Sequence, residues 1–118
     1  MVGELSFDTV LGLCRDQHRR IVLATLAAEQ RPLTLNDLTK AVLKHNHQLP
    51  ATEISTEVFT HVQCSLHHLH LPKLTAAGVV NYDTERYLVE PTEQFEQLDP
   101  YLSEILAADP DLEQPLEL

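Results

Sequence analysis

Four stretches in the first two thirds of the chain repeat apolar residues at the three- and four-residue spacing of an amphipathic helix. Each follows a residue that commonly caps helix N-termini, and the predicted caps are Ser6, Asp16, Thr34 and Ser55. The second stretch is apolar nearly all round, which is typical of a helix at the centre of a domain. The pattern therefore predicts four helices, with the second at the core.

The first and third helices have distinct signatures. The first places Phe7, Val10, Leu11 and Cys14 at the i, i+3, i+4 and i+7 positions of one face. The third begins with the spacing of a capping box, Thr34-Leu-Asn-Asp37, and is predicted to run to about residue 44. Residues 45–54 show no periodicity and are predicted to form a loop.

The fourth helix is predicted over residues 55–77, with its core side formed by Val58, Val62, Leu66 and Leu69. Pro72 removes one backbone donor inside this stretch, which predicts a kink or split near residues 68–71. Gly78 supplies the C-terminal stop.

A β-hairpin and a last helix follow. Two β-prone runs within residues 79–89 flank the polar residues 83–86, which predicts the hairpin. Residues 92–108 then carry a narrow apolar seam that we expect Asp99-Pro100 to break or restart. The remaining residues, 109–118, are acidic and without pattern, and are predicted to be disordered.

This order of elements predicts a mainly α protein with a small β-hairpin. Three helices, a longer fourth helix and a hairpin form a winged helix-turn-helix, here with an added C-terminal helix. The predicted organisation is a winged-helix domain over residues 1–91, an amphipathic helix over 92–108 and the acidic tail over 109–118.

The net charge of −10 is concentrated at one end of the chain. Residues 1–82 carry seven acids and seven bases, whereas residues 83–118 carry eleven acids and one base, Arg86. At molar salt the Debye length falls to about 3 Å, so tail carboxylates would barely repel DNA held elsewhere. Acidity alone therefore does not exclude a DNA partner.

Other features exclude several classes of protein. No apolar run approaches the length of a membrane span and the first residues lack the pattern of a signal peptide, so a cytoplasmic protein is expected. Cys14 and Cys64 are predicted to be free thiols. The chain lacks a GxSxG motif, a phosphate-binding glycine loop and suitably placed paired carboxylates, so neither enzymatic activity nor a cofactor is predicted.

The segment from His70 to Asp83, HLPKLTAAGVVNYD, resembles the end of the recognition helix and the start of the wing in archaeal and arsenic-repressor-type regulators. Together with Arg19-Arg20-Ile-Val-Leu23, it makes residues 6 to about 90 similar to a haloarchaeal winged-helix family of uncharacterised predicted transcriptional regulators. The resemblance implies a DNA-binding regulator from a halophilic archaeon, usually dimeric, with no known operator or effector. The paired cysteines of the arsenic-type metal sensors are missing, so metal sensing is not implied.

The polar side of the fourth helix is the predicted DNA-reading surface, because hydroxyl, amide and neutral imidazole groups can hydrogen-bond base edges. Phosphate contacts are assigned to four bases, Lys73 and three on neighbouring elements. No Arg or Lys precedes Lys73 on the helix face, so a merely solvated face is the open alternative. The predicted DNA-contacting residues are Thr60, His61, Gln63, Cys64, His67, His68, Lys73, Lys40, Lys44 and Arg86.

Three further groups admit two interpretations each. The basic cluster Arg15, His18, Arg19 and Arg20 either is solvated or pairs with acids of a partner subunit's tail. His61, Cys64 and His68 lie on one helical face at a spacing that could hold a metal ion, although an exposed polar stripe is favoured and no metal is predicted. His70 is predicted to be a hydrogen-bonded core histidine rather than a ligand.

The apolar seam of the last helix is predicted to form a homodimer interface, the alternative being packing against the protein's own domain. Its residues are Phe95, Leu98, Leu102, Ile105 and Leu106. The leading functional hypothesis is a dimeric regulator that binds double-stranded DNA. The competing hypothesis is a winged-helix protein-interaction module within the transcription machinery, and a metal or redox sensor ranks last.

Overall fold

The computed structural model describes residues 5–46 and 54–112. Within these ranges the chain is mainly helical with a small antiparallel sheet, as predicted. Six α-helices, one π-helical turn and three short strands occur in the described part. They are α1 (Phe7–Cys14), α2 (Gln17–Glu29), β1 (Leu33–Thr34), α3 (Leu35–Asn46), α4 (Thr56–Ser65), the π turn (Leu66–His70), α5 (Leu71–Ala76), β2 (Val80–Asp83), β3 (Leu88–Pro91) and α6 (Phe95–Ala108).

The predicted helix caps are confirmed. Ser6 Oγ accepts the Thr9 N–H at 3.1 Å, and the Asp16 carboxylate accepts two N–H groups from the first turn of α2. The capping box is reciprocal: the Thr34 N–H donates to Asp37 Oδ2 at 3.3 Å, and the Asp37 N–H donates to Thr34 Oγ1 at 3.0 Å. These bonds satisfy N–H groups that have no partner within the helix.

The hairpin is confirmed, and it carries a third strand that the sequence pattern did not predict. β2 and β3 pair antiparallel with Tyr82 opposite Val89. β1 pairs antiparallel with the other edge of β3, so the sheet order is β1-β3-β2. β1 is only two residues long, too short to show alternation. The sheet ties the start of α3 to the hairpin.

The kink predicted near Pro72 is a π turn. The Leu71 N–H bonds to the carbonyl of Leu66, five residues back. Pro72 has no N–H to offer to the carbonyl four residues before it, and the wider turn accommodates this loss. The extra residue also shifts the helical phase: Leu69, predicted on the core side, is 48% exposed, whereas His70 is 3% exposed.

Helix α6 corrects two predictions. It runs unbroken through Pro100, because apolar residues on both sides of the proline are buried against α1 and α2. Those residues therefore belong to the core of the single chain rather than to an exposed dimer interface. They are Phe95, Leu98, Leu102 and Leu106, while Ile105 is partly buried against the same core.

Two further predictions change at the ends of the described chain. Helix α1 buries Val10, Leu13 and Cys14, so Phe7 and Leu11 face outward instead of packing on the core. In the predicted disordered tail, residues 109–112 pack on the domain, since Leu112 is buried. Residues 113–118 and most of the predicted 45–54 loop lie outside the described residues.

No described helix has the length and hydropathy to cross a membrane.

Candidate nucleic-acid interface

A groove of about 410 Å³ lies between the start of α3, the exposed side of α4 with the π turn, and the hairpin. Four of the six fourth-helix residues predicted to read DNA line it. Thr60 and His61 are exposed on α4 but lie outside its lining. The groove is lined by Thr34, Leu35, Asn36, Gln63, Cys64, His67, His68 and Tyr87.

His67 is held in place by an aromatic cluster. Its Nδ1 lies 2.6 Å from the Tyr82 hydroxyl, and its ring lies 6.0 Å from the Tyr87 ring. Burial raises the pKa of Tyr82, with a further contribution from Tyr87, so the phenol stays protonated and can donate to Nδ1. In the tautomer whose Nδ1 accepts this bond, the other ring nitrogen, Nε2, carries the proton and is a donor available to a ligand.

Tyr87 links the hairpin to α3 at the edge of the groove. Its carbonyl accepts the Leu35 N–H at 2.8 Å, and its backbone is in the left-handed region at φ 51°. A tyrosine rarely adopts this conformation, because its Cβ crowds the backbone there. Sequence reasoning missed both Tyr87 and Asn36 as groove residues. For Tyr87 the available signal was its position, as an aromatic residue at the end of the predicted hairpin turn.

The predicted phosphate-binding bases are not collected in the groove. Lys40 and Lys44 line a separate cavity of about 660 Å³ between α3 and the start of α4, together with apolar residues that include Phe59. Lys73 on α5 and Arg86 on the hairpin turn are exposed and also lie outside the groove lining. None of the described residues lining the groove is Lys or Arg. Its lining combines polar side chains with the apolar surfaces of Leu35 and Tyr87.

The basic cluster at the start of α2 has a structural role that the sequence did not reveal. Arg19 is buried, and its Nε and Nη2 donate to the carbonyls of Leu13 and Gly12 at 2.9 and 3.1 Å. These carbonyls belong to the last turn of α1, where no helical N–H follows. Arg19 therefore caps the C-terminus of α1, and we call the bonds from Arg19 and its neighbour Arg20 to this helix end the α1–α2 cap.

Arg20 completes the same cap and binds the tail of its own chain. Its Nη1 donates to the carbonyls of Cys14 and Arg15 at 2.6 and 3.0 Å, and its Nε donates to Asp109 Oδ2 at 3.1 Å. The acid that this cluster recruits thus comes from the same chain rather than from a partner subunit. Of the cluster, only the Arg15 side chain is exposed to solvent.

His70 is a hydrogen-bonded core histidine, as predicted. Arg19 Nη1 lies 3.1 Å from His70 Nδ1, and because a guanidinium only donates, Nδ1 accepts. The proton of the neutral ring is then on Nε2, which lies 3.9 Å from Asp16 Oδ1. Burial lowers the pKa of His70; Asp16 opposes this shift, and the charges of Arg19, His18 and Lys73 add to it.

The described residues contain one grouping of side chains close enough to share a metal ion, and it differs from the predicted trio. Ligand atoms of Asp16, His18 and His70 lie within 4.8 Å of one another, whereas His61, Cys64 and His68 do not meet in this way. The Arg19 bond leaves His70 Nε2 protonated, and a protonated nitrogen cannot ligate. The guanidinium charge would also repel a cation, so this grouping is an internal network.

Comparison with protein families matches residues 11–90 to the family described as "Domain of unknown function (DUF7344)". The match extends from within α1 to β3, so it includes the groove and the α1–α2 cap. No curated protein and no solved structure matches the chain.

Proposed function

Because the chain belongs to the DUF7344 family, whose description assigns no activity, we propose from its own geometry that it is a winged helix-turn-helix protein that binds double-stranded DNA to regulate transcription. The element order α2-β1-α3-α4-β2-β3 supports this, since it places a short strand between the first two helices of the motif. The sheet order β1-β3-β2 supports it further, because β1 then braces the hairpin that forms the wing.

The observation that carries the proposal is the groove. In winged-helix recognition the helix that precedes the wing occupies the major groove, while the wing contacts the adjacent backbone. The candidate recognition helix α4 presents Gln63 to the groove, and the π turn that continues it presents the Nε2–H of His67. Asn36 lies in the first turn of α3, and its side-chain amide can donate to a phosphate oxygen.

The neutral lining of the groove sets the expected salt dependence. With only Lys73 and Arg86 as flanking bases among the described residues, the protein neutralises few phosphates, so its affinity falls only shallowly with salt. That behaviour suits a regulator in a halophilic archaeon, where screening removes most of the electrostatic attraction anyway. Binding then depends on hydrogen bonds and shape rather than on charge.

The test is crosslinking and recovery of genomic DNA in the high-salt host. An Asn36→Ala, Gln63→Ala variant is compared with the wild type and with Asn81→Ala, which removes an exposed amide on β2 outside the groove lining. We expect discrete peaks with the wild type and the control, and their loss with the groove variant. Wild-type protein that enriches no sites, or a groove variant that keeps the same peaks, would refute the proposal.

The absence of Lys and Arg from the described groove lining favours a second candidate, a winged-helix module that docks on another protein of the transcription apparatus. In that case the wild type would recover promoters only through its partner. Purified protein and the recovered fragments, mixed at the salt concentration of the host, separate the two candidates. Direct binding supports the DNA-reading function, and no binding supports the docking module.

A further inference from the structure

An apolar surface without intramolecular cover lies where α1 and α6 run side by side. Phe7 and Leu11 on α1 are 58% and 45% exposed, and Tyr101 on α6 is 42% exposed. The Phe7 and Tyr101 rings lie 5.8 Å apart, so the residues form one patch, which we call the α1–α6 face. Three of the five large apolar side chains that are most exposed in the described chain belong to it. Clustered exposure of this kind marks an interaction surface.

The two helices are parallel. The Leu5 N–H donates to Gln97 Oε1 at 2.9 Å near the starts of both helices. Near their ends, Arg20 bridges the Cys14 carbonyl and Asp109. A second copy turned by a two-fold axis would therefore meet this face with both of its helices antiparallel, as in a four-helix arrangement.

The charges on α1 are arranged for such a pairing. Asp8 in the first turn and Arg15 at the C-cap are exposed, and neither side chain has a partner among residues 5–46 and 54–112. At 100° per residue they fall within about 100° of arc with Phe7 and Leu11, seven residues or about 10 Å apart along the axis. A two-fold axis near Leu11 places Asp8 of each copy opposite Arg15 of the other.

Gly12 fits the same arrangement. It lies inside α1, where glycine is less favourable than alanine, and a Cβ built on it would meet no atom within 4 Å. Packing within the single chain therefore does not require a glycine at this exposed position. The missing side chain leaves room for a second helix to approach closely.

We propose that the α1–α6 face is a homodimer interface in which two copies pack antiparallel, with reciprocal Asp8–Arg15 pairs around Leu11 and Gly12. The face is about 20 Å long and two helix widths across, or about 800 Å² in total for the two copies, which is below the roughly 1,200 Å² of stable interfaces and in the range of weak, transient ones. The dimer is therefore concentration-dependent. This interface lies on the exposed side of α6, next to the buried seam that the sequence pattern had indicated. It does not depend on whether the protein binds DNA.

The test uses single charge reversals. Asp8→Arg alone brings two positive side chains together at each pairing position, and Arg15→Glu alone brings two negative ones together, so each homodimer contains two repulsive pairs. Mixed together, the two variants form a heterodimer in which both pairs are attractive, because each pair brings a positive side chain of one variant against a negative side chain of the other. If the pairs are reciprocal, an equimolar mixture should therefore associate more strongly than either variant alone.

The double variant Asp8→Arg, Arg15→Glu supplies a second rescue within one chain. It exchanges the two charges, so each copy again places opposite charges against its partner and both pairs are attractive. Sedimentation velocity from micromolar to near-millimolar protein measures association. The lowest salt that keeps native helix content by circular dichroism is used, because screening is then weakest.

We expect the wild type to dimerise, each single variant to associate about tenfold more weakly, and the double variant to recover wild-type association. A wild type that stays monomeric over the whole range overturns the proposal. So do single variants that dimerise like the wild type, or a double variant that associates no better than either single one.

A second pair of variants tests the apolar part of the face at high salt, where charge pairs contribute little. Leu11→Asp should abolish dimerisation, whereas Leu69→Asp should not. Both leucines are exposed to a similar degree, but Leu69 lies in the π turn, away from α1 and α6. Equal effects of the two substitutions would contradict the proposed location.

Discussion

The α1–α2 cap and the groove use polar side chains in opposite ways. In the cap, Arg19 is 4% exposed, and its guanidinium donates to the chain's own carbonyls and to His70. In the groove, Gln63, Cys64 and His68 line a cavity whose described lining contains no Lys or Arg. The densest basic cluster in the sequence is therefore structural, and the candidate interface is uncharged. A cluster of basic residues in a sequence indicates an interface only when its side chains are not already bound to backbone carbonyls of the same chain.

The largest effect that separates the two regions is expected from Arg19→Met. The substitution keeps the aliphatic volume but removes the donors to two carbonyls of α1 and to the buried His70 ring. Unsatisfied buried acceptors of a charged donor cost several kcal/mol, so we expect a loss of about 3 kcal/mol in the free energy of unfolding. Urea denaturation measures it.

Arg31→Met is the matched control. Arg31 pairs with Glu29 at 3.2 Å at an exposed position, and such pairs contribute little. We expect a change below about 0.5 kcal/mol. An Arg19→Met variant as stable as this control would show that the cap is solvated, and the contrast between the two regions would disappear.

A smaller effect on the free energy of unfolding is expected when the pH is lowered. Because the pKa of His70 in the folded protein lies below its usual 6.5, the unfolded chain binds a proton first as the pH falls through that value. The folded state therefore loses stability below about pH 6.5, by at most about 1.4 kcal/mol per pH unit, until the folded pKa is passed. His70→Gln should flatten this decline between about pH 7.5 and about pH 5, measured by urea denaturation.

The exposed His68 in the groove provides the comparison, since His68→Gln should leave the decline unchanged. If the decline in stability persists in His70→Gln, another group causes it.

Asp16 contributes to the pH dependence of stability only at lower pH. Burial raises the pKa of its carboxyl, but the charge of His70 and the N–H bonds from Arg19 and His18 outweigh this, so the net shift is downward from 3.8. The stability that it contributes is lost as the pH falls below that value.

The smallest effect concerns backbone strain at the groove. Tyr87→Gly removes the cost of a tyrosine at positive φ, and we expect the free energy of unfolding to rise by up to about 1 kcal/mol. DNA binding should weaken, because the groove loses an aromatic wall. Gln30→Gly, at φ 53° on the C-cap of α2, should give a similar gain without any loss of binding. If both variants bind DNA equally well, the Tyr87 side chain has no role in DNA binding.

The elements set by local chemistry could be predicted from the sequence. The caps at Ser6 and Asp16, the Thr34–Asp37 box, the Gly78 stop and the hairpin each depend on contacts within a few residues. Such contacts leave a signature at fixed spacing. The groove residues on the fourth helix followed from the same helical periodicity.

What the sequence did not reveal depends on tertiary contacts. The π turn shifts the phase of the fourth helix, so the helical wheel misplaced Leu69. Arg19 is buried only because the end of α1 lies over it, and no spacing rule encodes that proximity. Pro100 stays helical because α6 is buried on both sides of it. Each failure arose where packing outweighed a local preference.

The two hydrogen bonds that join the beginning and the end of the described chain also affect the order in which its parts fold. The Arg20–Asp109 bond spans 89 residues and the Leu5–Gln97 bond spans 92. During synthesis, α1 and its arginine cap leave the ribosome long before α6 exists, so their final partner surface arrives last. Contacts of such long sequence separation are slow to form, because the intervening chain must first be ordered. Until α6 closes over both helices, the nascent protein must therefore hold α1 on α2 through the arginine cap and the buried side chains of α1.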